Sequence, residues 1–136
     1  MNIVSDYLNT IKTELLPSKI HGIGTFAFEN ISIGTNVFPH WEGDSGYYDV
    51  DLYLIKNSYF INKILRKYFK IVNNTASVYL ISNSHFLCPW KHFVNHSENP
   101  NIDMYGNCIN TINKGDEILR NYKEISYSIE KNIYVI

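Results

Sequence analysis

Three short segments constrain this chain more than anything else in it. Ser18-Lys19-Ile20-His21-Gly22-Ile23-Gly24-Thr25-Phe26-Ala27 places two glycines around one residue. His92-Phe93-Val94-Asn95-His96-Ser97-Glu98-Asn99-Pro100-Asn101 is a polar run that a proline keeps out of helix. Lys114-Gly115-Asp116-Glu117-Ile118-Leu119-Arg120-Asn121-Tyr122 opens on a turn signal and continues into apolar residues. Each is weak alone. A Gly-x-Gly loop is most often a plain turn between strands. The dinucleotide fingerprint also needs a third glycine and a following helix, and Thr25-Phe26-Ala27-Phe28 reads as strand. His92 and His96 have the i,i+4 spacing of a helical zinc pair, but the Asn-Pro context is not helical and no third ligand is evident. No metal is expected.

Composition bounds the rest. At 136 residues the chain is read as one domain, 1–136. Apolar residues make up 45% and charged residues 18%, as in an ordinary folded protein. A net charge of −1 gives no nucleic-acid or membrane footprint. Cys88 and Cys108 make neither a disulfide framework nor a metal pattern, so a reducing compartment is expected. No apolar run approaches the ~18–20 residues of a membrane span, and the first residues lack the marks of a secretory signal. The expectation is a soluble intracellular protein, with nucleus and cytoplasm left open.

Residues 3–12 can form a short helix with Ile3, Tyr7, Leu8 and Ile11 on one face. Glu14 to Pro39 reads as short strands broken by turns at Gly22–Gly24 and Ile33-Gly34. Residues 42–49 look like an exposed loop. The best helix is 58–70, capped by Ser58, with a stripe of Ile61, Ile64, Leu65, Tyr68 and Phe69. Its basic residues (Lys63, Arg66, Lys67, Lys70) are read as a solvated face. Residues 76–88 fit strand or helix. Ile102 to Leu119 reads as a hairpin, with turns near Tyr105-Gly106-Asn107 and Asn113-Lys114-Gly115. The apolar end of the 123–136 tail is expected to pack on the body.

Taken in order, the three segments resemble the SET domain of protein lysine methyltransferases. That family is marked by a Gly-x-Gly loop, an Asn-His-Ser-x-x-Pro-Asn segment and Gly-Glu-Glu-Leu-x-x-x-Tyr. The likeness covers about residues 13–123, and the stretch 41–90 carries no matching motif. The resemblance implies a mainly β fold with short helices, several small sheets around a C-terminal pseudoknot. It implies methyl transfer from S-adenosylmethionine to a lysine side chain of a protein or peptide, with a histone tail the leading class. His21, Gly22, Ile23 and Gly24 would meet the methionine end of the cofactor, and Asn95 and His96 would hold it. Tyr122 would stand where methyl donor meets lysine, contacting both. Tyr105 is a second candidate for lining the lysine channel. Glu117 would tie strands together.

Two departures stand out. Glu98 occupies a place where the family often has cysteine, and no cysteine-rich segment follows Tyr122, so the resemblance is to a zinc-free, minimal domain. Arg120 stands where an aromatic often lines the channel. A guanidinium facing an amine would repel it, which keeps a catalytically inactive SET-like cofactor- or peptide-binding module as the alternative. A homodimer is compatible with a minimal domain that borrows a closing segment.

Overall fold

In the computed structural model, the described residues are 3–56, 59–84 and 92–123. The architecture is mainly β: small sheets of two or three short strands with few helices. The described residues group into two compact units, one from Met1–Lys12 and Pro39–Pro89, the other from Thr13–Phe38 and Trp90–Ile136. Among the described residues, no helix is long and apolar enough to cross a membrane.

In the first unit, helix α1 (Ile3–Leu8) packs on strand β3 (Gly46–Asp51). A 3-10 turn (Leu52–Leu54), helix α2 (Tyr59–Tyr68), β4 (Ile71–Val72) and β5 (Thr75–Leu80) complete it. The sheet runs β3-β5-β4, antiparallel throughout. Strand β5 alternates, burying Ala76, Val78 and Leu80 and exposing Ser77 and Tyr79, as expected where one sheet face is solvated. Helix α2 buries Ile61 and Leu65 fully, four residues apart on one face. Tyr68, assigned to the stripe from sequence, is 68% exposed instead. The proposed Ser58 cap lies outside the described residues, as do Cys88 and 124–136 of the tail.

Two local expectations are overturned. Residues 46–49 belong to β3 and are not loop, because β5 supplies the pairing partner that local sequence cannot reveal. The 102–119 segment is not one hairpin. Ile102 pairs with Cys108 around a tight turn, whereas Ile112 pairs with Ile31 and Glu117 with Phe26. Asn107 in turn pairs with Asn36, so Asn107, Ile112 and Glu117 all find partners in the N-terminal segment of the same unit. A turn passed over from sequence is Asn73-Asn74, which joins β4 to β5 with φ of 50° and 59°. Positive φ at both central residues is the two-residue hairpin geometry that asparagine tolerates best.

The second unit holds the three segments. Strands β1 (Thr13–Pro17) and β2 (Ile23–Ala27) pair antiparallel. Residues 115–118 add along the free edge of β2: Ile118 N–H donates to Thr25 O and Ala27 N–H to Asp116 O. The chain then crosses to β7 (Leu119–Arg120), parallel to β6 (Asn95–His96). The 97–101 loop closes on β7, with Ser97 N–H bonded to Arg120 O and Asn101 N–H to Leu119 O. Segment 115–120 thus stitches two small sheets together. Ala27, Ile31, Val37, Val94, Ile102, Ile112 and Ile118 are buried in this unit.

Glu14, on β1, is partly buried, and loss of hydration raises its carboxyl pKa above 4.5, with Lys114 opposing. A raised acid pKa in the folded state means that the native chain binds the proton more tightly. Stability is then lost as pH rises through the window beginning at 4.5. Glu14→Gln should flatten that slope, read as the urea midpoint between about pH 4 and 7.

Candidate functional site

The Glu117 carboxylate is the junction of the three segments. Ser18 Oγ donates to it, at 2.7 Å from Oε1 and 2.9 Å from Oε2. Asn95 Nδ2 donates to Oε2 at 2.7 Å and to His21 O at 3.1 Å. Two acceptors on one side of the Asn95 amide fix which end is nitrogen. Ser18 Oγ also accepts from Ile20 N–H at 3.0 Å, and Ser18 N–H donates to Gly22 O at 2.8 Å. The 18–22 loop is therefore shaped from inside by Ser18 and held from outside by Asn95. Hydrogen bonds to an ionised acceptor are short and strong, and these match.

Glycine is required in this loop for two different reasons. Gly22 has φ +48°, and a Cβ placed on it would meet nothing within 4 Å among the described residues, which leave this side of the loop open. Gly24 is a close-approach glycine: a Cβ there would overlap the Glu117 carboxylate and lie 3.1 Å from Ser18 Cβ. Gly24→Ala should displace Glu117 and cost about 1–3 kcal/mol, as overpacking does, measured by urea unfolding. An unchanged midpoint would mean that Glu117 moves aside freely.

Asn95 is buried (7% exposed) and spends both amide hydrogens. Among the described residues its Oδ1 has no hydrogen-bond donor. The site thus offers an oriented acceptor beside an open glycine backbone, the pairing that a cationic amino group asks for.

His96 and Tyr122 form the second half. His96 Nδ1 accepts from the Tyr122 backbone N–H at 3.0 Å, and the rings lie 5.1 Å apart at 50°. Accepting at Nδ1 puts the neutral ring's proton on Nε2. Tyr122 OH donates to Val94 O at 2.6 Å. The phenol's single proton is spent there, and its lone pairs remain to accept from another donor. The Tyr122 residue is 45% exposed, so a ligand can reach it.

The structure therefore brings His21, Asn95, His96 and Tyr122 together through direct bonds, with Gly22, Ile23 and Gly24 in the attached loop and strand. Tyr105 is not bonded to this group. Its backbone carbonyl accepts from Asn36 Nδ2 and its N–H bonds Asp103 Oδ1, while the residue is 47% exposed. Arg120 is buried (9% exposed), with its guanidinium 5.9 Å from the Phe38 ring centroid. Residues 92–93 form a short turn and 95–96 a strand, so His92 and His96 are not a helical pair. Two positioning residues carried no role in the sequence reading. Ser18 orders the loop. Asn101 clasps β7, donating from Nδ2 to Glu117 O and accepting from Leu119 N–H at Oδ1, both at 2.8 Å. The signal for both was their place inside the quoted segments.

No family model matches the sequence, and no curated protein matches it. Solved structures do resemble the fold. One is a Plasmodium falciparum protein provisionally named a histone methyltransferase, at 20% identity and a TM-score of 0.42, covering 82% of this chain and 93% of that one. Another is Chaetomium thermophilum Polycomb Repressive Complex 2 in an autoinhibited conformation bound to S-adenosylmethionine, at 16% identity and a TM-score of 0.40 over 90% of this chain. A humanized mutant of that complex, bound to the inhibitor GSK126, gives 18% identity and a TM-score of 0.40 over 82% of this chain. This chain spans 15–17% of the length of those two Chaetomium chains.

Proposed function

We propose that the chain is a SET-type protein-lysine N-methyltransferase that uses S-adenosylmethionine, with a lysine-bearing protein such as a histone tail as acceptor. One observation carries this reading. Three separate segments that resemble the family's motifs converge, through Glu117, Asn95 and His96, on one open glycine loop and one accessible tyrosine.

The residues fit the cofactor. Asn95 Oδ1 and the open side of the loop at Gly22, with the backbone of His21, Ile23 and Gly24 beside it, suit a charged amino-acid end, and His96 and Tyr122 flank it. When bound, S-adenosylmethionine supplies an electrophilic methyl group on a sulfonium. The protein's part is to present a neutral amine in line with it. A free lysine has a pKa of about 10.4, so roughly one in a thousand is neutral near pH 7.4, a cost of about 4 kcal/mol. A dry channel lowers that cost, because desolvation and a nearby cation both disfavour the ammonium. Tyr122 can then orient the amine by accepting one N–H, since Val94 already takes its own proton. His96 holds the Tyr122 backbone in place, so it positions the tyrosine and needs no general-base role. Tyr105 is proposed as a more distant lining residue.

Arg120 favours a second reading. A buried guanidinium packed on Phe38 stands where the family often has an aromatic, and this suits a module that binds without turnover. Purified protein incubated with labelled S-adenosylmethionine and a pool of core histones and cell lysate tests the two. Transfer of label supports the enzyme, and the labelled band names its acceptor. Cofactor binding by calorimetry without transfer supports the module, and absence of both removes the SET reading.

A further inference from the structure

The whole-chain charge of −1 averages two opposite regions. From Leu52 to Ser97 the sequence holds six Lys or Arg and no Asp or Glu, so all 13 acidic residues lie elsewhere. The structure gathers four of those cations on and just beyond helix α2 of the first unit. Lys63, Arg66 and Lys67, at i, i+3 and i+4, share the face opposite the fully buried Ile61 and Leu65, and Lys70 follows the helix end. All four are exposed, and no carboxylate among the described residues forms an ion pair with any of them. Arg66 is held in place. Its Nε donates to Asn62 Oδ1 at 2.8 Å and its Nη2 to Asn74 Oδ1 at 2.6 Å, which ties the helix to the β4–β5 turn. The other three of its five N–H donors make no bond among the described residues. Lys67 Nζ lies 5.4 Å from the Tyr68 ring centroid. The helix dipole favours cations in the last turn. That accounts for Arg66 and Lys67, but not for Lys63 in the second turn or for the missing carboxylates.

Such a face calls for an anionic partner, and its geometry selects among them. A membrane-surface helix dips its apolar face into lipid, whereas Ile61 and Leu65 are already spent on the core. A protein partner needs an apolar centre within its polar rim, and the centre of this face is Lys63, Arg66 and Lys67. A single strand is gripped by successive stacking aromatics, and Tyr68 is one ring at the border. What matches cations about 5–6 Å apart on a convex helix is the phosphate row of B-form DNA, whose major groove of ~12 Å admits a helix. Tyr68, 68% exposed, adds a hydroxyl that suits a phosphate or sugar. We propose that the α2 face docks on the phosphate backbone of double-stranded DNA, without reading its sequence. This inference is independent of the methyl-transfer reading.

The test is fluorescence anisotropy of a labelled DNA duplex of mixed sequence, titrated with the full chain in the absence of S-adenosylmethionine. About three phosphate contacts give a slope of log K against log salt near −3, so affinity should fall roughly fortyfold between 50 and 200 mM salt. Lys63→Gln with Lys67→Gln, both exposed and tolerant of change, should weaken binding at least about tenfold at 50 mM salt and bring the slope near −1. Lys19→Gln with Lys123→Gln removes the same charge from the second unit and should leave binding within about twofold. Circular dichroism establishes that each pair keeps the fold. Equal loss in the two double variants, a slope shallower than −1 in the parent, or no binding at 50 mM salt would each overturn the proposal. So would equal or tighter binding to polyglutamate or to phosphatidylserine vesicles. None of these outcomes depends on methyl transfer, which the labelling assay judges separately.

Discussion

Tyr122→Phe is expected to lower turnover by about a hundredfold or more while leaving the fold and cofactor binding intact. In the proposed mechanism the phenol oxygen is the polar atom that holds the amine, and its proton is already given to Val94 O. Deleting one oriented polar contact from a reacting centre typically costs about 10²–10³ in kcat. The structural cost is smaller. One hydrogen bond to a carbonyl is lost, worth about 1 kcal/mol, and the ring can keep its place against His96. The variant should therefore unfold within a few degrees of the parent and bind S-adenosylmethionine within about twofold. Turnover within threefold of the parent would show that Tyr122 only packs. A collapse of both activity and cofactor affinity would instead assign it to holding the site together.

Glu117→Ala should have the largest effect on stability. Its carboxylate accepts from Ser18 Oγ and Asn95 Nδ2, and Asn95 is buried. Removing it leaves two donors without their charged acceptor, at about 3 kcal/mol. For a chain of this size that corresponds to a melting point lower by roughly 10 °C. Because the same carboxylate holds the 18–22 loop against Asn95, affinity for S-adenosylmethionine should fall at least tenfold as well. Paired with Ser18→Ala, the loss should be clearly less than additive, since the two residues share one interaction. Additive losses, or a melting point within 2 °C of the parent, would count against the junction.

Much of the local structure was legible. Ile61 and Leu65 at helical spacing gave α2, and Gly22 and Gly115 marked turns that take positive φ, whereas residues 76–88 fit strand or helix alike and only the structure shows β5 burying Ala76, Val78 and Leu80. The helix and the turns depend on neighbours within four residues, which periodicity and glycine chemistry can read. Strand β3 escaped because its evidence lies in β5, about thirty residues away. The 102–119 segment was misread as one hairpin because Ile112 and Glu117 prefer distant partners, Ile31 and Phe26, over each other.

The sequence by itself determined which residues were candidates: the order of the three segments selected His21, Gly22, Gly24, Asn95, His96 and Tyr122. Only the tertiary structure decided how they act on one another. Glu117 reaches Ser18 across ninety-nine residues and Asn95 across twenty-two, and His96 turns its Nδ1 to the Tyr122 N–H. The difference has a physical cause. Side-chain periodicity is a property of the local backbone, whereas a hydrogen bond between remote segments exists only once burial has brought them together and withdrawn the competing water.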